Sequence, residues 1–147
     1  METARDPPEI GLLAGVLRIG ADRRQHDDDR HADGTPYQPD TTGAIVFLED
    51  VHEEPYRIDR MLTTLALGGM FDKAAGIVFG RCSDCGIKGP SLSLEEILRD
   101  RFGNLPIPAI SGLSFGHIEQ KLVLPIGARA TLDADAGTLR LEEGAVT

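Results

Sequence analysis

Hydrophobic and polar positions along this chain switch between two periods. Ala44 to Leu48 is an unbroken apolar run of strand length that stops abruptly at two carboxylates, Glu49 and Asp50. Pro55 then opens a helix over 55–67, with Glu53 and Glu54 ahead of it, where the positive end of the helix dipole favours acids. Ile58, Met61, Leu62 and Leu65 fall at i, i+3, i+4 and i+7 as one apolar stripe, and Gly68-Gly69 ends it. A second buried strand is expected from Ala75 to Phe79, followed by a loop. Ser93 and Glu96 have the spacing of a capping box, with Leu94, Ile97 and Leu98 facing inward on the helix they open. Asn104 to Pro108 breaks that helix before a short strand near Ala109-Ile110. Strands are expected near 121–124 and 128–133, and Asp135-Ala-Gly137 turns the chain into a last one at Thr138–Leu141. The order predicts an α/β fold: a single domain with a mixed β-sheet and flanking helices.

Residues 1–33 fit this scheme less well. Their apolar positions show no sustained period, and Arg23 to Asp33 is a mixed-charge run with nothing to bury. Composition alone reads the stretch as a poorly ordered tail. From Gly34 the local signals agree, beginning with a proline-pinned extended approach, Gly34-Thr-Pro-Tyr-Gln-Pro39. The domain is therefore set at 34–147.

Composition narrows the function classes. At 147 residues and 41% hydrophobic content the chain can bury one aliphatic core, with no tryptophan and 5% aromatics. A formal charge of -9 offers no basic patch to neutralise phosphates, so no nucleic-acid partner is expected. No run approaches the roughly 18 apolar residues of a membrane span, and no secretory signal is visible, so a cytoplasmic protein without a membrane partner is expected. Cys82-Ser-Asp-Cys85 has the spacing of half a zinc site, but no second pair completes it. It follows a strand and precedes Gly86, Gly89 and Pro90, so it reads as two loop thiols, one partly buried. No metal or cofactor is expected.

The first candidate for chemistry is the carboxylate at the end of the first strand, the place where α/β proteins put working residues. Its wording says more than its position. Phe47-Leu-Glu-Asp-Val51 followed by Pro55-Tyr-Arg-Ile-Asp-Arg-Met-Leu62 resembles a phrase in the C-terminal domain of the LD-carboxypeptidase family of serine peptidases. The resemblance continues in order through Gly76-Ile-Val-Phe-Gly80, Cys85, Ile107-Pro108, Gly112-Leu-Ser-Phe-Gly-His117 and Leu124-Pro-Ile-Gly127. It spans about Gly34 to Glu142 and includes the family's muramoyltetrapeptide carboxypeptidases and microcin-immunity-like members. It implies a Ser–Glu–His triad that cleaves the bond between an L-residue and a C-terminal D-residue in muropeptides, or in related peptide antibiotics. Glu49 matches the triad acid and His117 the triad histidine. The matching serine belongs to the family's N-terminal domain, for which no counterpart appears here, so the resemblance implies a fragment that is inactive alone.

Outside that match, the residues themselves offer little. Ser83, Ser91, Ser93, Ser111 and Ser114 are the serines, and none sits in a Gly-x-Ser-x-Gly elbow. Gly112 and Gly116 flank a turn able to present His117 at a cleft edge. His52 stands where the family commonly has glycine and reads as a solvated variant rather than a second base. Cys82 or Cys85 with His117 would make a cysteine hydrolase, a remote alternative. Arg57, Asp59 and Arg60 are candidates for substrate or interface contacts, against the plainer reading of a solvated, ion-paired face. The competing function class is a non-catalytic binding or dimerisation module, and a homodimer is a candidate assembly. Retention of both Glu49 and His117 favours the enzyme.

The resemblance also suggests a specific origin for the tail. Family members carry Gly-Gly-Asn-(Leu or Met) and an apolar stretch before their Gly-Thr-Pro-Tyr. One permissible codon choice for Arg23 to Asp28, shifted by one base, reads Gly-Gly-Asn-Met-Thr-Thr. Out-of-frame translation rejoined near Gly34 is the resulting expectation, and the nucleotide sequence decides it.

Overall fold

The computed structural model describes the backbone of residues 10–18 and the whole of residues 38–142. Its centre is a six-stranded sheet in the order β4-β3-β2-β1-β5-β6, built from β1 (Ile10–Arg18), β2 (Ala44–Glu49), β3 (Gly76–Gly80), β4 (Ala109–Leu113), β5 (Arg129–Asp133) and β6 (Thr138–Leu141). Strands β1 to β4 run parallel, and β5 and β6 close one side antiparallel, so the expected mixed sheet is present.

The unbroken apolar run of β2 is explained by its place in the sheet. All six of its residues are buried, as are all five of β3, because both strands are covered on both faces. Val46, Leu48, Ile77 and Phe79 point to one face, with α1 (Pro55–Leu67) and α2 (Leu94–Phe102). Ile45, Phe47 and Val78 point to the other and meet Ala130 and Leu132 from β5.

Helix α1 spans the predicted residues, and Ile58, Met61, Leu62 and Leu65 are all buried. Its end is a Schellman motif: Gly69 lies at φ 78, the Gly69 N–H donates to the Ala66 carbonyl, and the Met70 N–H donates to the Leu65 carbonyl. Leu62 is fully buried, so Leu62→Ala is expected to cost about 2–5 kcal/mol in denaturant unfolding. A cost near zero would show that the stripe does not pack.

At α2 the capping box forms as expected. The Ser93 Oγ accepts from the Glu96 N–H, and the Glu96 carboxylate accepts from the Ser93 N–H at 2.8 Å. The bonds from Ser93 hold the Glu96 carboxyl below its ordinary value. A carboxyl lowered in the folded state contributes stability above its ordinary range and loses it as pH falls through the lowered value.

Two expectations are corrected. No strand forms at 121–124: the Leu122 N–H donates to the Ser114 carbonyl, Leu124 packs on the core, and Val123 is exposed. The short apolar run Leu122-Val-Leu124 is there, but Pro125 follows without an N–H and no ladder is made. Within the stretch read as a tail, Ile10–Arg18 is instead an interior strand, paired parallel to β2 and antiparallel to β5. Its sequence, IGLLAGVLR, does not alternate apolar and polar residues, so no period marks it as a strand. The charged run Arg23–Asp33, and with it the frame expectation, lies outside the described residues.

Candidate acid–histidine site

Strands β2, β3 and β4 deliver their carboxyl ends to one edge of the sheet, where α/β folds open their crevices. Glu49 is the last residue of β2 and is 2% exposed. Burying a carboxylate there is costly unless it is hydrogen-bonded. One partner is His117: its Nδ1 lies 3.0 Å from Glu49 Oε2 and 3.2 Å from Oε1. The neighbouring Asp50 is also buried, and its Oδ1 accepts from the Val51 N–H at 2.7 Å.

His117 reaches Glu49 from the loop after β4 because Phe115 anchors that loop. Phe115 is buried and meets the Phe47 ring edge-on, with centroids 5.5 Å apart. Gly80 leaves room for it, since a Cβ there would lie 3.0 Å from the Phe115 ring. Gly116 is needed for two reasons. It sits at φ 92, and a Cβ on it would fall 2.6 Å from Glu49 Oε2. The glycine lets the loop pass directly over the acid and present the next residue to it.

This contact bears on the imidazole's tautomer. An ionised carboxylate only accepts hydrogen bonds, so Nδ1 carries the proton it donates to Glu49. The other nitrogen, Nε2, then holds a lone pair. Among the described residues Nε2 makes no hydrogen bond, and the His117 side chain is 53% exposed. The arrangement is an imidazole held in orientation by a buried acid, with its second nitrogen open.

Among the described residues no serine hydroxyl hydrogen-bonds the His117 ring. The Ser83 Oγ donates to the His117 carbonyl at 3.4 Å, and Ser93 caps α2. His52 is an exposed residue paired with Asp84 at 3.0 Å, as its reading as a solvated variant expects. Arg57 lies against Glu53 and Tyr56, and Asp59 bonds Arg101 at 2.6 Å, so both belong to an ion-paired helix face. A cavity of about 1260 Å³ between α2 and the β4 edge, lined by Leu98, Phe102, Pro108 and Ser111, does not include Glu49 or His117.

The reading of Cys82 and Cys85 as loop thiols is corrected. They form a disulfide, with Cα atoms 5.6 Å apart across a turn in which Asp84 takes φ 55. The two-residue spacing was the available signal. The roles of Phe115 and of the Gly116 close approach had none beyond the motif itself. Among the described residues no cluster of His, Cys, Asp and Glu could hold a metal ion, and no helix is long and apolar enough to cross a membrane.

Comparison with known proteins bears on this arrangement. A family model described as the LD-carboxypeptidase C-terminal domain matches residues 17–132. A Synechocystis sp. protein named "Putative carboxypeptidase" is 48% identical over 130 residues, covering 87% of this chain and 40% of its own length. The "Probable murein peptide carboxypeptidase" of Bacillus subtilis is 41% identical over 113 residues, 76% of this chain and 35% of the relative. The crystal structure of muramoyltetrapeptide carboxypeptidase from Oxalobacter formigenes superposes with a TM-score of 0.74 at 33% identity, covering 96% of this chain and 46% of that one. The chain thus spans 35–40% of the length of these curated relatives. With the match beginning at residue 17, in β1, and running through the Glu49 and His117 motifs, the chain belongs to the LD-carboxypeptidase C-terminal domain family.

Proposed function

We propose that this chain supplies the acid and base of a serine-type LD-carboxypeptidase that releases a C-terminal D-residue, D-alanine, from murein tetrapeptides during peptidoglycan recycling in the cytoplasm. The observation that carries the reading is the buried Glu49 carboxylate holding Nδ1 of a half-exposed His117 at 3.0 Å. In acyl transfer the base takes the nucleophile's proton and later returns it to the leaving amine, while the acid stabilises the imidazolium between those steps. Both tasks suit a histidine with Nε2 open and Nδ1 engaged. The nucleophilic serine and the oxyanion donors come from outside these 147 residues, in the N-terminal domain the family resemblance implies, and the polypeptide alone is inactive. Names of relatives favour a murein peptide substrate, since a Pseudomonas aeruginosa relative 32% identical over 93 residues is named murein tetrapeptide carboxypeptidase. A binding or dimerisation module would have no use for an oriented acid–histidine pair.

The reaction class is tested by joining the N-terminal part of the Synechocystis relative to this chain and supplying two tetrapeptides that differ only at the terminal residue. Release of D-alanine with no release of L-alanine is expected. Equal release of both, or of neither, contradicts the proposal.

A further inference from the structure

The Cys82–Cys85 loop touches both halves of the acid–histidine pair's support. On one side Ser83 forms a β-bridge with Val51, two residues past Glu49. Its carbonyl also accepts from the His52 N–H at 2.9 Å. On the other side its Oγ donates to the His117 carbonyl at 3.4 Å. One residue, enclosed by the disulfide, therefore spans the segment leaving Glu49 and the residue that Glu49 holds.

A second observation marks the same contact. His52, at φ 59, and Asp84, at φ 55, are the non-glycine residues at positive φ among the described residues, and they face each other across this bridge at 3.0 Å. Side chains seldom adopt that conformation, and it persists only where the surroundings hold it. The His52–Asp84 ion pair does not do the holding, because both side chains are about three-quarters exposed, and such pairs contribute little. The covalent loop and the backbone bonds do. Cys82 and Cys85 are half-buried against the helix-side core, so one end of the clamp is fixed to the fold.

We propose that the Cys82–Cys85 disulfide is a redox-sensitive positioning clamp for the Glu49–His117 pair, with Ser83 as its contact residue. A small dithiol attacks one sulfur as thiolate, giving a mixed disulfide, and its second thiol displaces that linkage. The dithiol leaves as a cyclic disulfide, and Cys82 and Cys85 become two thiols. Asp84 and His52 then relax from positive φ, the Val51–Ser83 bridge opens, and the His117 ring loses its fixed orientation over Glu49. The effect on turnover rests on the role proposed above for the pair, but the structural response does not.

The test therefore reads structure rather than hydrolysis. Nuclear magnetic resonance of this chain is recorded in the oxidised form, after treatment with dithiothreitol, after reoxidation, and in the double variant Cys82→Ser, Cys85→Ser. Opening the disulfide is expected to speed exchange of the His52 amide by roughly tenfold, the order of losing one backbone hydrogen bond. A downfield Nδ1–H resonance of His117 is expected in the oxidised protein, to vanish on reduction and to return on reoxidation. The amides of Ile45 and Val78, inside β2 and β3, should keep their protection. Unchanged His52 and His117 signals would overturn the clamp. So would a general loss of protection in β2 and β3, which would make the disulfide a staple of the whole fold, or two free thiols in the air-oxidised protein.

Discussion

Replacing His117 by alanine, in a chimaera that joins the N-terminal part of the Synechocystis relative to this chain, is expected to lower kcat for D-alanine release by roughly 10⁴- to 10⁶-fold with little change in KM. In the proposed mechanism the ring is the base, and without it the serine hydroxyl keeps its proton. Glu49→Gln is expected to cost about 10⁴-fold by a different route. An amide can present N–H rather than oxygen to Nδ1, which favours the tautomer with its proton on Nε2, the nitrogen that must accept. Steady-state kinetics of the two variants separates these roles. A Glu49→Gln enzyme with wild-type kcat would show that the 3.0 Å contact is structural only.

The second large effect is expected at Gly116. An alanine there would hold its Cβ 2.6 Å from Glu49 Oε2 and 3.1 Å from Glu49 Cβ, at φ 92. Glu49 cannot retreat, because it is buried at the end of an interior strand. The loop must move instead, and it carries His117 with it. A displacement of about 1 Å at the reacting groups is enough to cost on the order of 100-fold in kcat, with backbone strain of about 1–3 kcal/mol in stability. Gly112→Ala also sits at a positive φ, but its Cβ meets nothing within 4 Å, so strain without the steric push separates the two causes. If both variants lose activity equally, the Glu49 contact is not what demands glycine at 116.

How far the sequence could be read depends on what each element needed from its neighbours. Helix α1 and the capping box of α2 were legible because their signals are local: Pro55 at the start, an apolar stripe, two terminal glycines, and a serine three residues from a glutamate. Strands β2 and β3 were legible because full burial leaves an unbroken apolar run. Strand β1 has a similar run but stands between charged and glycine-bearing segments, and only its pairing with β2 and β5 identifies it. Lys121–Leu124 shows the reverse case, a strand-like pattern with no ladder partner. The acid and histidine were named through the motifs that carry the family resemblance. Their contact, across 68 residues of chain, is a product of the parallel sheet that brings both to one edge. The Cys82–Cys85 bond was the costliest misreading, since a two-residue spacing alone does not reveal that Asp84 turns the chain to close it.

Whether Glu49 and His117 receive their nucleophile from outside these residues is decided by the rate of D-alanine release from a murein tetrapeptide by the 147-residue chain alone and by the chimaera, at equal concentration. No release above background is expected from the chain alone, and the chimaera is expected to turn over in a way that disappears with His117→Ala. Release by the chain alone at a rate comparable to the chimaera, abolished by His117→Ala, would place the nucleophile within these residues and overturn the proposal.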